Sequence, residues 1–130
     1  MKVDASCHCG EVTYEAEIDP EQVVICHCTD CQTFAGAPYR VSVFGVPREN
    51  VKIEGTPRMY IKTGGSGRPV QLAFCGTCGT ALFSTRGEQD SPFNLRTGAI
   101  RQREALVPKM QGFCDSAQSW ANNLGEIRKV

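Results

Sequence analysis

Along residues 11–18 apolar and polar side chains alternate, with Val12, Tyr14, Ala16 and Ile18 on one side and Thr13, Glu15 and Glu17 on the other. A period of two predicts a strand with one buried face. Short runs of β-branched and aromatic residues at 23–26, 39–44, 51–54, 59–62, 70–74, 81–84 and 93–97 predict seven more. Turn-forming residues separate them: Asp19 and Pro20, then the stretches 45–47, 55–57, 63–67 and 87–92. Strands this close, without long helical crossovers, are expected to pair antiparallel. The glycine-rich stretch 63–67 reads as a hairpin tip, with a lip over a site as the alternative.

Helical signals are few. Residues 29–36 can form a short helix, with Thr29 as N-cap, Gln32 completing a capping box and Gly36 as the stop. A second helical turn is expected within 116–124. The expected architecture is a mainly β, single domain over 1–130 with one or two short helices.

Composition narrows the class of protein. Hydrophobic residues at 41% and charged residues at 22% are ordinary globular usage, so the chain should fold. No apolar run approaches the roughly 20 residues that span a bilayer, and the first ten residues lack a secretory apolar segment; a cytoplasmic protein without a membrane partner is expected. Fourteen basic residues balance fourteen acidic ones, so no cationic excess points to nucleic acid. Monomer and homodimer are both compatible with a small β-protein that has sheet edges.

Eight cysteines change the picture. In a reducing compartment, clustered cysteines are more often metal ligands or redox groups than disulfides. Seven fall into three clusters: Cys7 and Cys9 in CHCG, then Cys26, Cys28 and Cys31 in CHCTDC, then Cys75 and Cys78 in FCGTCG. In an extended chain, residues two apart face the same way, so each CxC pair presents two sulfurs together and turns His8 or His27 aside. The CxxCG stretch is the other common half-site, a tight turn with amides facing the sulfurs. A CxC disulfide would close a strained ring, and a redox role for Cys75 and Cys78 lacks the βαβ setting it normally has.

A structural zinc takes four protein ligands, whereas three leave a position for water or substrate. Seven cysteines divide as four and three. Cys7 and Cys9 with Cys75 and Cys78 are expected to close one zinc site, and Cys26, Cys28 and Cys31 to form an open, catalytic one. Two zinc ions per chain follow, and seven thiolates against two divalent cations leave the metallated protein mildly acidic. Cys31 is expected in the first helical turn, where free amides favour a thiolate. A thiol arriving at the open zinc would readily lose its proton. The open site could instead be closed by His8, His27, Asp30 or Cys114. Each histidine reads more simply as an orienting group, and Cys114 as a small buried hydrophobe.

The order CxCG, CHCxxC and FCxxCG, followed by Leu82 and Phe83, then Gly98 and Trp120, resembles the glutathione-dependent formaldehyde-activating enzyme family, which also includes centromere protein V-like proteins. The resemblance implies a β-tent of several coiled antiparallel sheets, a structural zinc on Cys7, Cys9, Cys75 and Cys78, and a catalytic zinc on Cys26, Cys28 and Cys31. It implies a carbon–sulfur lyase that joins formaldehyde to the thiol of glutathione, giving S-hydroxymethylglutathione. The chain departs from the family's commonest pattern at Gln32, where arginine often follows the third cysteine, and at residues 99–102, where acidic residues are frequent. Both departures bear on substrate more than on metal. Arg40, close to the site in sequence, and Arg68, in the glycine-rich stretch, are candidates to anchor a substrate carboxylate. A zinc-stabilised binding module and a passive glutathione or formaldehyde carrier are the competing readings.

Overall fold

The computed structural model describes residues 1–63 and 66–130. Among the described residues, ten strands form two sheets. The smaller holds β1 (Lys2–Ser6), β2 (Thr13–Glu17) and β5 (Val51–Glu54) in the order β1-β2-β5. The larger runs β10 (Met110–Gly112), β3 (Val23–Cys26), β4 (Arg40–Val46), β9 (Phe93–Arg96), β8 (Ala81–Thr85), β7 (Pro69–Phe74) and β6 (Arg58–Thr63), in that order. Among the described residues one α-helix, α1 (Thr29–Ala35), follows β3, accompanied by short 3-10 turns.

The alternation of residues 11–18 has its physical consequence in β2. Val12, Tyr14, Ala16 and Ile18 are all buried, while Glu15 and Glu17 face solvent. The buried face meets Val23, Val43, Phe83, Phe93 and Leu95 of the large sheet, and the Phe83 and Phe93 rings pack tilted at 58° with centroids 4.7 Å apart. An isolated bridge between Ala5 and Ile100 ties β1 to the turn after β9. One hydrophobic cluster therefore runs from Val3 to Leu106.

Among the described residues, the strand pairs are antiparallel with one exception. β10 lies parallel to β3, matching Met110, Gln111 and Gly112 with Val24, Ile25 and Cys26. It is a three-residue edge strand with two exposed side chains, so it carries no alternation. β1 adds only Val3 and Ala5 to the core and is equally faint as a pattern. β6 and β7 form the expected hairpin, pairing Thr63 with Pro69; Gly64 and Gly65, the proposed tip, lie outside the described residues.

Helix α1 starts one residue differently from expectation. Its N-cap is Cys28, whose sulfur accepts the Cys31 amide at 3.2 Å, and Thr29 is the first helical residue. Gln32 closes no capping box: its amide donates to the carbonyls of His27 and Ser116. A sulfur placed by the metal-ligand pattern thus displaces the hydroxyl as cap. Gly36 ends the helix in the left-handed conformation, φ 61°, as a C-terminal glycine should. The expected helical turn within 116–124 is a pair of 3-10 turns, Ser119–Asn122 and Leu124–Glu126. Among the described residues, no helix is long and apolar enough to cross a membrane.

Candidate metal centres

Two turns that resemble each other build the first cysteine group. After β1, the Cys7 amide donates to the Val12 carbonyl and the Gly10 amide returns to the Cys7 carbonyl, with Gly10 at φ 86°. After β7, the Cys75 amide donates to the Thr80 carbonyl and the Gly79 amide returns to the Cys75 carbonyl, with Gly79 at φ 79°. Each glycine sits where a side chain would strain the backbone, so the turn closes under its pair of sulfurs. The Thr77 hydroxyl donates to Glu11 at 2.7 Å and binds the turns to each other.

The sulfurs of Cys7, Cys9, Cys75 and Cys78 all lie within 4.8 Å of one another. Cys7 to Cys9 is 3.6 Å and Cys9 to Cys75 is 3.7 Å. With Zn–S bonds of about 2.3 Å, the edge of a sulfur tetrahedron is about 3.8 Å, so these two spacings match the edges of a four-thiolate zinc. Cys7 and Cys75 are buried, as a site that joins two elements inside the fold requires.

Polar partners point at these sulfurs. The Val12 amide donates to Cys7 at 3.3 Å, and the Thr80 hydroxyl lies 3.2 Å from Cys78 while accepting the His8 amide at 3.0 Å. The Thr80 hydroxyl, followed by the amides of Thr80 and Cys9, pulls the Cys78 thiol down to about 5. Thr80 is a supporting residue that spacing alone does not identify, because an isolated threonine after a CxxCG turn carries no distinguishing pattern.

The second group is local. Cys26 ends β3, Cys28 caps α1 and Cys31 lies in its first turn, and the three sulfurs are within 4.8 Å of one another. All three are half-buried. Cys26 to Cys31 is 3.3 Å, so that edge would open by about half an ångström around a zinc ion. Burial pushes the Cys31 thiol up to about 12, with the Cys28 and Cys26 thiols adding to the push. Burial also opposes ionisation of Cys28, but hydrogen bonds from the Cys31 thiol and amide, then the Cys26 thiol and the Lys62 charge, outweigh it and lower the Cys28 thiol. Thiols this close share their protons unequally, as a crowded metal-binding set does.

Among the described residues, no histidine, carboxylate or eighth cysteine joins these three. His27 is buried with Nε2 on the Gln111 side-chain carbonyl at 2.8 Å and its ring edge-on to Tyr39. Asp30 is taken by Lys62 at 2.7 Å. His8 is exposed, and its backbone amide donates to the Thr80 hydroxyl. Cys114 is exposed too, contrary to the expectation of a buried hydrophobe; the backbone of Phe113 turns left-handed at φ 54° and carries the segment along the surface.

The candidate anchors differ in position. Arg68 forms an exposed bridge to Glu88 at 3.1 Å and belongs to neither cysteine group. Arg40 pairs directly with Cys26 across β3 and β4, and its Nε is buried without an acceptor. Arg96, read from sequence only as part of the strand run 93–97, is 7% exposed and donates to the Ser42 hydroxyl at 2.7 Å. Burial, with the Arg40 charge added, lowers its pKa to about 9 against the opposing pull of the thiols of Cys31 and Cys26 and of Tyr14.

A mainly antiparallel two-sheet protein with one four-sulfur and one three-sulfur cluster, each able to hold a metal ion, is the class that fold and site define. The chain belongs to the glutathione-dependent formaldehyde-activating enzyme family, whose model matches residues 2–116. Among solved structures it is similar to a crystal structure of a Rhodobacter sphaeroides protein from a structural genomics programme, at 17% identity and a TM-score of 0.63, covering 83% of this chain and 98% of that one. At that identity the likeness concerns the fold. No curated protein sequence matches the chain.

Proposed function

We propose that residues 1–130 act as one zinc-dependent unit that adds a thiol, glutathione or a similar molecule, to formaldehyde or a related aldehyde and catalyses the reverse cleavage. In this reading Cys7, Cys9, Cys75 and Cys78 hold a structural zinc, while Cys26, Cys28 and Cys31 hold a second with one position for substrate. The observation that carries it is the unequal sulfur count, four within one group and three in the other, with no fourth His, Cys, Asp or Glu beside the three among the described residues. Family membership supports the reaction class.

Zinc bound at the three-cysteine group supplies a Lewis acid that favours the deprotonated form of an incoming sulfur at neutral pH. The chain's own residues then set the environment. The Cys31 amide holds the Cys28 sulfur in place, and Gln32 fixes the start of the helix by bonding His27 and Ser116. Buried His27, held by Gln111, keeps the extended CHC segment turned so that Cys26 and Cys28 face one point. In the addition, a carbon–sulfur bond forms, the carbonyl π-bond breaks, and the thiol's proton ends on the new hydroxyl.

A rate comparison tests this reading. Adduct formation at fixed thiol and formaldehyde should be faster with the metal-loaded protein than without it, and Cys28→Ser should remove the gain while circular dichroism stays native. Equal rates with and without protein would instead make the chain a carrier or a binding module.

A further inference from the structure

Beside the three-cysteine group lies a pair of cations with no carboxylate partner. Arg40 stands opposite Cys26, and Arg96 stands opposite Ser42, two residues further along β4. Directly opposed residues share a sheet face, and residues two apart on a strand share it too, so both guanidinium-bearing side chains leave the large sheet on the side of Cys26. Among the described residues, neither makes a salt bridge. Asp30 senses the Arg40 charge but is engaged by Lys62.

A buried, unpaired charge is costly, and fixed proteins keep one mainly where something arrives to meet it. Three thiolates outweigh a divalent ion by a single negative charge, so the free site balances one guanidinium and leaves the other unmet. The Arg40 Nε, buried without an acceptor, says the same of hydrogen bonding.

The two arginines border open space. A cavity of about 300 Å³ has Phe34, Tyr60, Phe74 and Phe83 in its walls together with Arg40 and Arg96. A second, of about 400 Å³, shares Phe34, Arg40, Ala81 and Arg96 and reaches the turn after β9. Phe34 lies three residues after Cys31 on α1 and Arg40 is the strand partner of Cys26, so residues neighbouring the three-cysteine group supply part of these walls, while Gly79 and Thr80 of the other cysteine turn supply another part. Their chemistry is apolar aromatic surface with guanidinium donors, the surroundings of an organic acid with an apolar body.

We propose that Arg40 and Arg96 receive the carboxylate of a thiol acid whose apolar body lies against Phe34, Tyr60, Phe74 and Phe83 and whose sulfur reaches Cys26, Cys28 and Cys31. This deepens the functional reading above and rests on it for the sulfur's destination. It also narrows the thiol: a compact acid with an apolar body suits these walls better than a peptide rich in amides, which they give few partners.

A thiol-free acid separates the two ideas. Titration of 3-phenylpropionate into the zinc-loaded protein, followed by calorimetry and by NMR of the aromatic and arginine side chains, should give saturable binding with shifts at Phe34, Tyr60, Arg40 and Arg96. The isosteric 3-phenylpropanamide should bind at least about tenfold more weakly, because it loses the charge-assisted hydrogen bonds. Arg40→Gln should weaken the acid by a similar factor and leave the amide unchanged. Arg96→Lys keeps the charge and loses the planar fork, so it should weaken the acid less than Arg40→Gln combined with Arg96→Lys. Equal affinity for acid and amide, no binding of the acid, or shifts confined to residues outside these walls would overturn the proposal. Failure of the acid while simple thiols still change the visible spectrum of the cobalt-substituted protein would remove only the anion site. Binding of the acid while thiols leave that cobalt spectrum unchanged would retain the anion site and remove the thiol chemistry.

Discussion

The two cysteine groups use the same atom for opposite ends. The four-sulfur group joins turns 66 residues apart between Cys9 and Cys75, buries two of its sulfurs and surrounds them with amides and the Thr80 hydroxyl. The three-sulfur group is drawn from six consecutive residues and stays half-buried, and Arg40, the strand partner of Cys26, lines two cavities together with Arg96. Long-range ligands restrain the unfolded chain and stabilise the fold, whereas local ligands add little to topology and are free to serve chemistry. In the proposed function, burial and sequence separation together distinguish the group that would hold the protein together from the one that would meet a substrate.

The largest effect expected from this contrast is at Cys75. Cys75→Ser removes a buried ligand of the long-range group and should leave the chain largely unfolded, since structural zinc in small domains contributes on the order of 10 kcal/mol. Far-ultraviolet circular dichroism and loss of cooperative melting would show it, and a native melting curve would break the comparison. Cys28→Ser comes next. It should abolish catalysis and one metal equivalent while the protein still melts cooperatively, because β3 and β4 stay paired without it.

Thr80→Val lies in between the groups in effect but acts only on the closed one. Loss of the hydroxyl beside Cys78 should weaken the first metal's affinity by roughly 10- to 100-fold and leave the second unchanged, as chelator competition would measure. The smallest effect is expected at Arg68→Ala. Its exposed bridge to Glu88 should be worth about 0–1 kcal/mol, with no change in metal content or acid binding.

The residues that repeat a physical period were readable in advance. Val12 to Ile18 alternate because one face of β2 is buried, and the CxC and CxxCG spacings put sulfurs on one side of a turn whatever surrounds them. What could not be read depends on partners elsewhere in the chain. β10 exists because β3 offers it a parallel edge, and MQG by itself has no pattern. The cap of α1 moved from Thr29 to Cys28 because the sulfur was already fixed by its place in the group. Arg96 ends an ordinary strand run, and only the pairing of β9 with β4 places it on the face of Cys26 and Arg40. Of the two arginines singled out by sequence, Arg40 lies at the site and Arg68 does not, a difference set by the β3 to β4 pairing.

Cobalt in place of zinc gives the most direct view of the unequal sharing of sulfur, because its visible bands report the number of thiolates on each ion. The account predicts two ions per chain and a thiolate-to-metal band that grows when a thiol is added to the native protein and does not grow in Cys28→Ser. Two ions whose spectrum is already that of two complete four-sulfur sites, and is unmoved by thiol, would contradict it.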